Sequence, residues 1–415
     1  MRRITIRNGL DLVFPGAPVQ RIRDGAAVSR VAILGSDFPG LRPALAVEKG
    51  ARVRAGERLF ADRRTPEIAH VSPVAGVVRE ITLGRRRTLE RIVIEREGDE
   101  AIGFALRAEM TRERVAALLL QCGLWPSFRT RPFGRTPVPG AESDAIFVTA
   151  IDTRPLSPDP AVPIAEARSE LRIGLEALRH LTDGPVYLCQ AGENDFPAPA
   201  GVTPVAFSGP HPAGLPGTHI HRLRPVGTER SVWHIGYDDV LSIGHLLLTG
   251  HVRAERIVSF AGPLAAAPTL LRTVAGASLD ELAVGELASG QAHLLSGSPV
   301  EGRHQPFLGR FDLQISAMLP REGVPRSPSR LERIRSLFAA SAGVLIPNAA
   351  HERAAPARIL PVPFLRALGI GDSETASRLG ALELCEEDMA LLSHLDGLDY
   401  GALLRRTLDD LEAAR

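Results

Sequence analysis

Three arginines and a phenylalanine set among prolines make a stiff basic loop: Arg129, Arg131, Phe133 and Arg135, with Pro132, Pro137 and Pro139. The apolar run Ala145–Ile151 that comes next has the length and β-rich content of a buried strand, and it ends in the polar turn Asp152-Thr153-Arg154-Pro155. A buried strand that delivers a polar turn is how open α/β sheets bring ligands to the carboxyl ends of their strands. The same residues also suit a proline-rich linker feeding an ordinary strand, and both readings stand at this level. A second group is Gly217-Thr218-His219-Ile220-His221 with His234 downstream. Alternate residues of a strand share a face, so such histidines can ligate a metal. No acidic or cysteine ligand completes the set at close spacing, so structural or polar-network histidines, and no metal, are expected. A third is the turn from Gly35 to Gly40, where Asp37 and Phe38 put one carboxylate and one aromatic ring among small residues. The three cysteines, Cys122, Cys189 and Cys385, form no CxxC pair. They cannot supply the four ligands of an iron–sulfur cluster, and reduced buried thiols are expected.

Composition excludes several classes. At 415 residues the chain suggests two to four domains. With 49 basic and 48 acidic residues the formal net charge is +1, so no global field recruits nucleic acid or an anionic membrane. Of the basic residues only Lys49 is lysine. No N-terminal apolar run marks a secretory signal, and no segment reaches the roughly eighteen apolar residues of a membrane span, so membrane contact through partners is expected.

The elements that must position these groups emerge from local pattern. Val47, Val53 and Leu59, separated by Gly50 and Gly56, read as short strands punctuated by turns that need φ > 0, with Ser72-Pro73-Val74-Ala75-Gly76 after them. The pattern looks like a biotinyl/lipoyl-type hammerhead barrel. Its hairpin, Ala61–Glu67, holds no lysine, and arginine cannot accept biotin or lipoate, so a carrier role is excluded and a docking or scaffold module is expected. Gly84-Arg85-Arg86-Arg87 reads as a solvated hairpin tip. Thr111 caps a helix that stops at Gly123. Ile164–Leu181 has the spacing of one long amphipathic helix, and Val186–Cys189 and Gly201–Phe207 are strands. Strand, helix, strand implies a Rossmann-like sheet. Asp238–Leu248 reads as a helix ending at Gly250. Arg256–Pro263, Leu270–Val274 and a short helix with a Ser278/Glu281 capping box form a β-grasp-like unit. Pro320–Arg330 reads as a flexible connector, and Leu331–Phe338, Phe364–Leu368, Thr375–Leu379, Glu386–Leu395 and Tyr400–Ala414 as helices. The fold class is thus multi-domain α/β: a barrel-bearing region (1–104), a Rossmann-like domain (105–254), a β-grasp, SLBB-like domain (255–319), and a connector with C-terminal helices (320–415).

Taken together, Gly9–Leu12, Gly16–Pro18, Val31–Pro43, Ser72–Gly76, Arg131-Pro132-Phe133, Ala145–Leu156, Gly217–Val226, Val232–Gly244, Ser259–Pro263 and Leu382–Ala390 resemble, in order, the NqrA family of the sodium-translocating NADH:quinone oxidoreductases. The resemblance covers nearly the whole chain. It implies a peripheral subunit on the cytoplasmic face of the bacterial inner membrane. The implied partners are the membrane and flavin-bearing subunits of the same complex, and ubiquinone is the implied substrate. No tightly bound cofactor and no complete active site in this chain alone are implied. The stretches that the family associates with quinone match Val31–Pro43, here Leu34, Asp37, Phe38, Gly40 and Leu41, and Arg129–Gly140, here Arg131, Pro132, Phe133 and Arg135. A quinone headgroup needs a small apolar slot, an aromatic surface and one or two donors, which Phe38 and Phe133 with their neighbours can offer. Asp152, Thr153, Arg154 and His219 form a second, sheet-edge polar set. Asp37, Asp152 and His219 are the candidate proton donors.

A related branch, the NADH- and flavin-binding subunits of complex I and Rnf, has a glycine-rich phosphate loop where this chain has Gln121-Cys122-Gly123-Leu124-Trp125-Pro126-Ser127-Phe128. One glycine, a tryptophan and a proline make no anion nest, so FMN, NADH and Fe–S centres are not expected here. The alternatives are an Rnf-type electron-input subunit or a purely structural interaction subunit. Leu395-Asp396-Gly397-Leu398 departs from a cysteine–proline–glycine–lysine-like turn common in the family, in a region that implies partner contact.

Overall fold

In the computed structural model, which describes every residue except 107–108, 289–291, 321–347, 357–358 and 415, the first two strands do not join their neighbours in sequence. β1 (Arg2–Thr5) and β2 (Val19–Asp24) each leave for the sheet of a later domain. The barrel proper comprises β3 (Arg30–Leu34), β4 (Pro43–Leu45), β5 (Arg52–Val53), β6 (Arg58–Asp62), β7 (Thr65–Val71), β8 (Gly76–Leu83) and β9 (Leu89–Arg96). They form two small sheets, β3-β9-β8-β5 and β4-β6-β7. Val31, Leu59, Phe60, Val78, Ile92 and Ile94 fill the space between them. The tip Arg85–Arg87 is exposed, as its charge predicts.

The second unit runs α1 (Arg112–Gln121), β10 (Arg129–Arg131), β11 (Ile146–Ala150), α2 (Ala161–Glu166), α3 (Arg168–Arg179), β12 (Val186–Ala191), β13 (Val202–Ser208), α4 (Pro216–Leu223), β14 (Val232–Gly236) and α5 (Tyr237–Thr249). The Thr111 hydroxyl caps α1 by accepting from the Arg114 N–H. Strand order is β1-β13-β12-β11-β14-β10, parallel except for β10. The chain therefore proceeds from β11 to one side and returns to lay β14 on the other, so the strand order reverses between β11 and β14. On one face Ile146, Val148 and Ala150 meet Leu171, Leu175 and Leu178 of α3 and Leu241 of α5. On the other, Phe147, Phe207 and Ile220 form a separate core. The helices α3 and α5 approach backbone to backbone. A Cβ on Gly174 would lie 2.2 Å from the Val240 carbonyl oxygen, and one on Gly244 1.9 Å from that of Glu170.

The third unit holds β15 (Glu255–Ala261), β16 (Thr269–Val274), α6 (Leu279–Leu282), β17 (His293–Ser296) and β18 (Gln314–Met318), in the order β17-β18-β15-β16-β2. At the end, α7 (Ala349–Ala354), α8 (Pro361–Ile370), α9 (Ser373–Arg378), α10 (Ala390–Asp396) and α11 (Tyr400–Ala413) pack around Phe364, Met389, Leu392, Leu404 and Leu408. The connector 321–330 and the helix expected at Leu331–Phe338 lie outside the described residues.

Several local expectations are corrected. Within the region 1–104, β1 and β2 lie outside the barrel: β1 pairs in parallel with β13 and β2 with β16, each at a sheet edge. The helix expected at Ile164–Leu181 is two helices, broken at Ala167 with φ −130° and ψ 40°. The HxH segment is α4 rather than a strand, started by Pro216 in its first turn, so His219 and His221 point different ways. Ser278 precedes α6 but makes no capping bond. Glu281 instead accepts from Ser29 and Arg30 of the neighbouring strand. The first turn of the helix expected at Glu386–Leu395 is 3₁₀, with the Asp388 carboxylate accepting from the Cys385 N–H at 2.9 Å.

Candidate functional site

The carboxyl ends of β11 and β14, where the strand order reverses, open into a cleft of about 1160 Å³. Its walls come from all four parts of the chain. The barrel gives Ser36, Asp37 and Pro39, and the α/β unit gives Ser127, Arg129, Thr149, Asp152, Arg154 and Gly236. The third unit adds Glu301, Arg303, Arg310 and Phe311, and the helical end adds Cys385, Glu386 and Glu387. An enclosed site for a small ligand typically measures roughly 300–1,000 Å³, so the cleft has ample room. A second cavity, beside Phe38 and His70, holds about 60 Å³. That is space for about two waters and not for a substituted ring.

Charges are balanced across the domain junction. Asp37, 5% exposed, accepts from Arg303 Nη2 at 2.7 Å and from the Arg310 N–H at 2.9 Å, while its backbone carbonyl accepts from Arg129 at 2.8 Å. Burial pushes its carboxyl above the ordinary range, against the pull of Arg303. Asp239 accepts from the Ser127 hydroxyl at 2.8 Å, and that hydroxyl accepts from Arg310 at 2.8 Å. The Arg129 guanidinium lies 4.3 Å above the Phe311 ring. Arg154 bridges Asp152 and Glu301. Burial pushes the Glu301 carboxyl up to about 7, with its ion pair to Arg154 opposing.

The expected site residues are dispersed. Asp37, Asp152 and Arg154 reach the cleft. Leu34 is buried in the barrel with Ala32, Val93 and Phe307, and Leu41 packs on the barrel core. The Gly40 carbonyl accepts from Arg64. Phe38 sits edge-on to His70 at 4.5 Å, at the wall of the small cavity. Arg131 is completely buried against the C-terminal helices, Arg135 pairs with Asp409 and Glu412, and Phe133 enters the helical core with φ +78°. The Phe133 carbonyl accepts from Arg405 at 2.7 Å. Pro132 and Phe133 are buried and do not line the cleft, whereas Arg129 and Gly134 of the same loop do. The Thr153 hydroxyl bonds His211 Nδ1 at 3.0 Å. His219, 0% exposed, gives its Nε2 hydrogen to the Ala213 carbonyl at 2.9 Å, packs on Phe207 and does not line the cleft. Among the described residues no His, Cys, Asp and Glu group is arranged to hold a metal ion.

Sequence reading missed Glu301, Arg310, Phe311 and His70, none of which sits in a motif; only folding brings them to the junction. His70 stacks on Phe60 at 4.4 Å, and burial, with Arg310 and Arg129 nearby, lowers its pKa to about 3. A histidine held neutral in the fold but free to charge when unfolded stabilises the protein above its unfolded pKa. That contribution is lost as pH falls below about 6.5 toward the folded value, at about 1.4 kcal/mol per pH unit. His70→Phe is therefore expected to lose less stability than the parent between about pH 7 and pH 5, by about 2 kcal/mol, in urea melts at both pH values. Parallel losses in the two proteins would show that His70 takes up its proton in the fold as readily as in the unfolded chain.

Comparison with known families extends over the chain. Residues 4–97 match the family described as NqrA N-terminal barrel-sandwich hybrid domain, 110–252 the NqrA second alpha/beta domain, and 257–305 the NQRA C-terminal domain. The NqrA subunit of the Na(+)-translocating NADH-quinone reductase of Cellvibrio japonicus is 41% identical, with 99% of each chain covered. The same subunit of Pseudomonas aeruginosa PAO1 is 43% identical and that of Klebsiella pneumoniae 342 is 42% identical, again over 99% of each chain.

Proposed function

Because the chain belongs to the NqrA family of the Na+-translocating NADH-quinone reductases, we propose that it serves such a complex as a peripheral subunit that binds quinone in its central cleft and holds no redox cofactor of its own. As a subunit of that reductase it works with the other subunits, which on this reading include the membrane-embedded and flavin-bearing ones, at the cytoplasmic face of the inner membrane. No described helix is long and apolar enough to cross a membrane.

The observation that carries the quinone reading is the cleft of about 1160 Å³ at the strand reversal, walled by the Asp37 loop and floored by the β11 and β14 ends. A neutral ring needs space, an aromatic surface and donors, and the cleft offers Phe311 with Arg129 above it. Against a flavin or nucleotide stands the segment before β10. Trp125, 2% exposed, donates its indole N–H to the Pro137 carbonyl at 2.8 Å, and a segment with one glycine, a tryptophan and a proline is poorly suited to an anion nest. The cavity beside Phe38, of about 60 Å³, offers a ring far less room than the cleft does. Arg131, Phe133 and Arg135 bind the chain's own C-terminal helices and so hold its parts together.

The test is calorimetric titration of the purified full chain with a short-chain ubiquinone, alongside an absorbance spectrum. Saturable binding by a colourless protein is expected, with Phe311→Ala weakening it about tenfold through loss of the ring surface. Stoichiometric flavin or iron in the preparation, or no saturable quinone binding, would overturn the proposal.

A further inference from the structure

Within the cleft, one crevice combines space with unmet hydrogen-bonding capacity. Gly236 ends β14 and precedes the thirteen-residue α5, and no described side chain caps that helix. The first N–H groups of an α-helix have no partner within it. A Cβ built on Gly236 meets nothing within 4 Å, so the backbone there borders open space. Register places Thr149 opposite Gly236 and Phe147 opposite His234, which puts Thr149 and His234 on one face of the paired strands. All three residues, with Tyr237, belong to the cleft wall. The Thr149 hydroxyl, His234 Nε2 and the hydroxyl of Tyr237, itself 4% exposed, are buried with no hydrogen-bond partner among the described residues. Unpaired buried polar groups cost free energy that a ligand can return.

The charge around the crevice decides the ligand class. Asp238 and Asp239 occupy the first turn of α5, complement its dipole and pair with Arg253, Arg256 and Arg310, so those cations are already engaged, and Asp152, paired with Arg154, lines the same cleft. An anion such as phosphate would meet these carboxylates, whereas a neutral carbonyl oxygen can still accept from the N–H groups. We infer that the crevice at Gly236, between the ends of β11 and β14, is the subsite for one carbonyl of the quinone ring, with the α5 N–H groups and the Thr149 hydroxyl as donors. This rests on the quinone reading above and gives it an address. His234, kept neutral by burial, adds a donor or acceptor at the rim.

The experiment titrates the full chain, the Gly236→Val and Thr149→Val variants, and, as control, Val284→Ala at an exposed position outside the cleft, with a short-chain ubiquinone and separately with inorganic phosphate. Gly236 has φ −77° and ψ 154°, which valine adopts, so the variant should fold and fill the crevice. Unchanged thermal melts check this. A tenfold or greater rise in Kd for Gly236→Val, about fivefold for Thr149→Val, no change for Val284→Ala, and no phosphate binding are expected. Parental affinity in both crevice variants would overturn the subsite and leave the quinone reading standing. Quinone binding absent from the parent chain would remove both, and phosphate binding abolished by Gly236→Val would overturn the ligand class.

Discussion

Arg131→Met is expected to destabilise the protein by about 3–5 kcal/mol and to loosen the C-terminal helices from the α/β unit. Arg131 is 0% exposed, at the end of β10. Its Nη1 donates to Asp388 Oδ2 at 2.7 Å and to the Glu383 carbonyl at 3.0 Å, and Nη2 donates to Glu387 at 2.8 Å. Asp388 is 4% exposed, and its carboxylate lies against Gly217 at the start of α4, where a Cβ would be 2.3 Å from Oδ1. Removing the cation leaves that carboxylate buried without its counterion, and the desolvation cost already incurred is no longer offset. Removing both charges leaves no such imbalance. Arg131→Met with Asp388→Leu should therefore recover much of the loss, a pattern that separates charge from packing. Urea midpoints and the rate of proteolysis between the α/β unit and α7 read the two effects. A single variant with the parental midpoint would show that the ion pair contributes nothing net.

The second large effect is steric. Gly244→Ala should cost about 3 kcal/mol or more, because overpacking at a backbone contact has no flexible side chain to yield. The added methyl would stand 1.9 Å from the Glu170 carbonyl oxygen, and α3 would have to move away from α5 along its length. Gly174, whose Cβ would approach the Val240 carbonyl at 2.2 Å, is the reciprocal contact, so Gly174→Ala should behave alike. The two together should cost less than their sum, since one displacement of the helices relieves both. Tm values for the single and double variants check this; a change of less than about 2 °C in Gly244→Ala would mean that the helices already tolerate the spacing.

The candidate site is only partly legible in the sequence. A buried run ending in Asp152-Thr153-Arg154 marks the polar turn after β11, and two of those three residues do reach the cleft. The basic loop reads as a ligand surface because arginines and an exposed-looking phenylalanine are common in one. Arg131 of that loop meets Asp388, 257 residues away, and no local pattern announces that contact. The HxH pair misleads for a related reason. Alternation suggests a strand, but Pro216 starts a helix, and the apolar face that α4 presents to Phe207 takes His219 inward.

The features that the sequence determined by itself are those that short-range physics controls. Glycines that permit φ > 0 set the turns of the barrel, periodicity set α3 and α5, Gly250 in the left-handed region closed α5, and the lysine-free hairpin excluded a carrier. Only the tertiary structure decided where long-range pairs fall: β1 and β2 in distant sheets, the arginine strut under the C-terminal helices, and a cleft with walls from four parts of the chain. Backbone conformation is settled residue by residue. The burial of a charge or the opening of a cleft depends on which distant surface arrives to cover it.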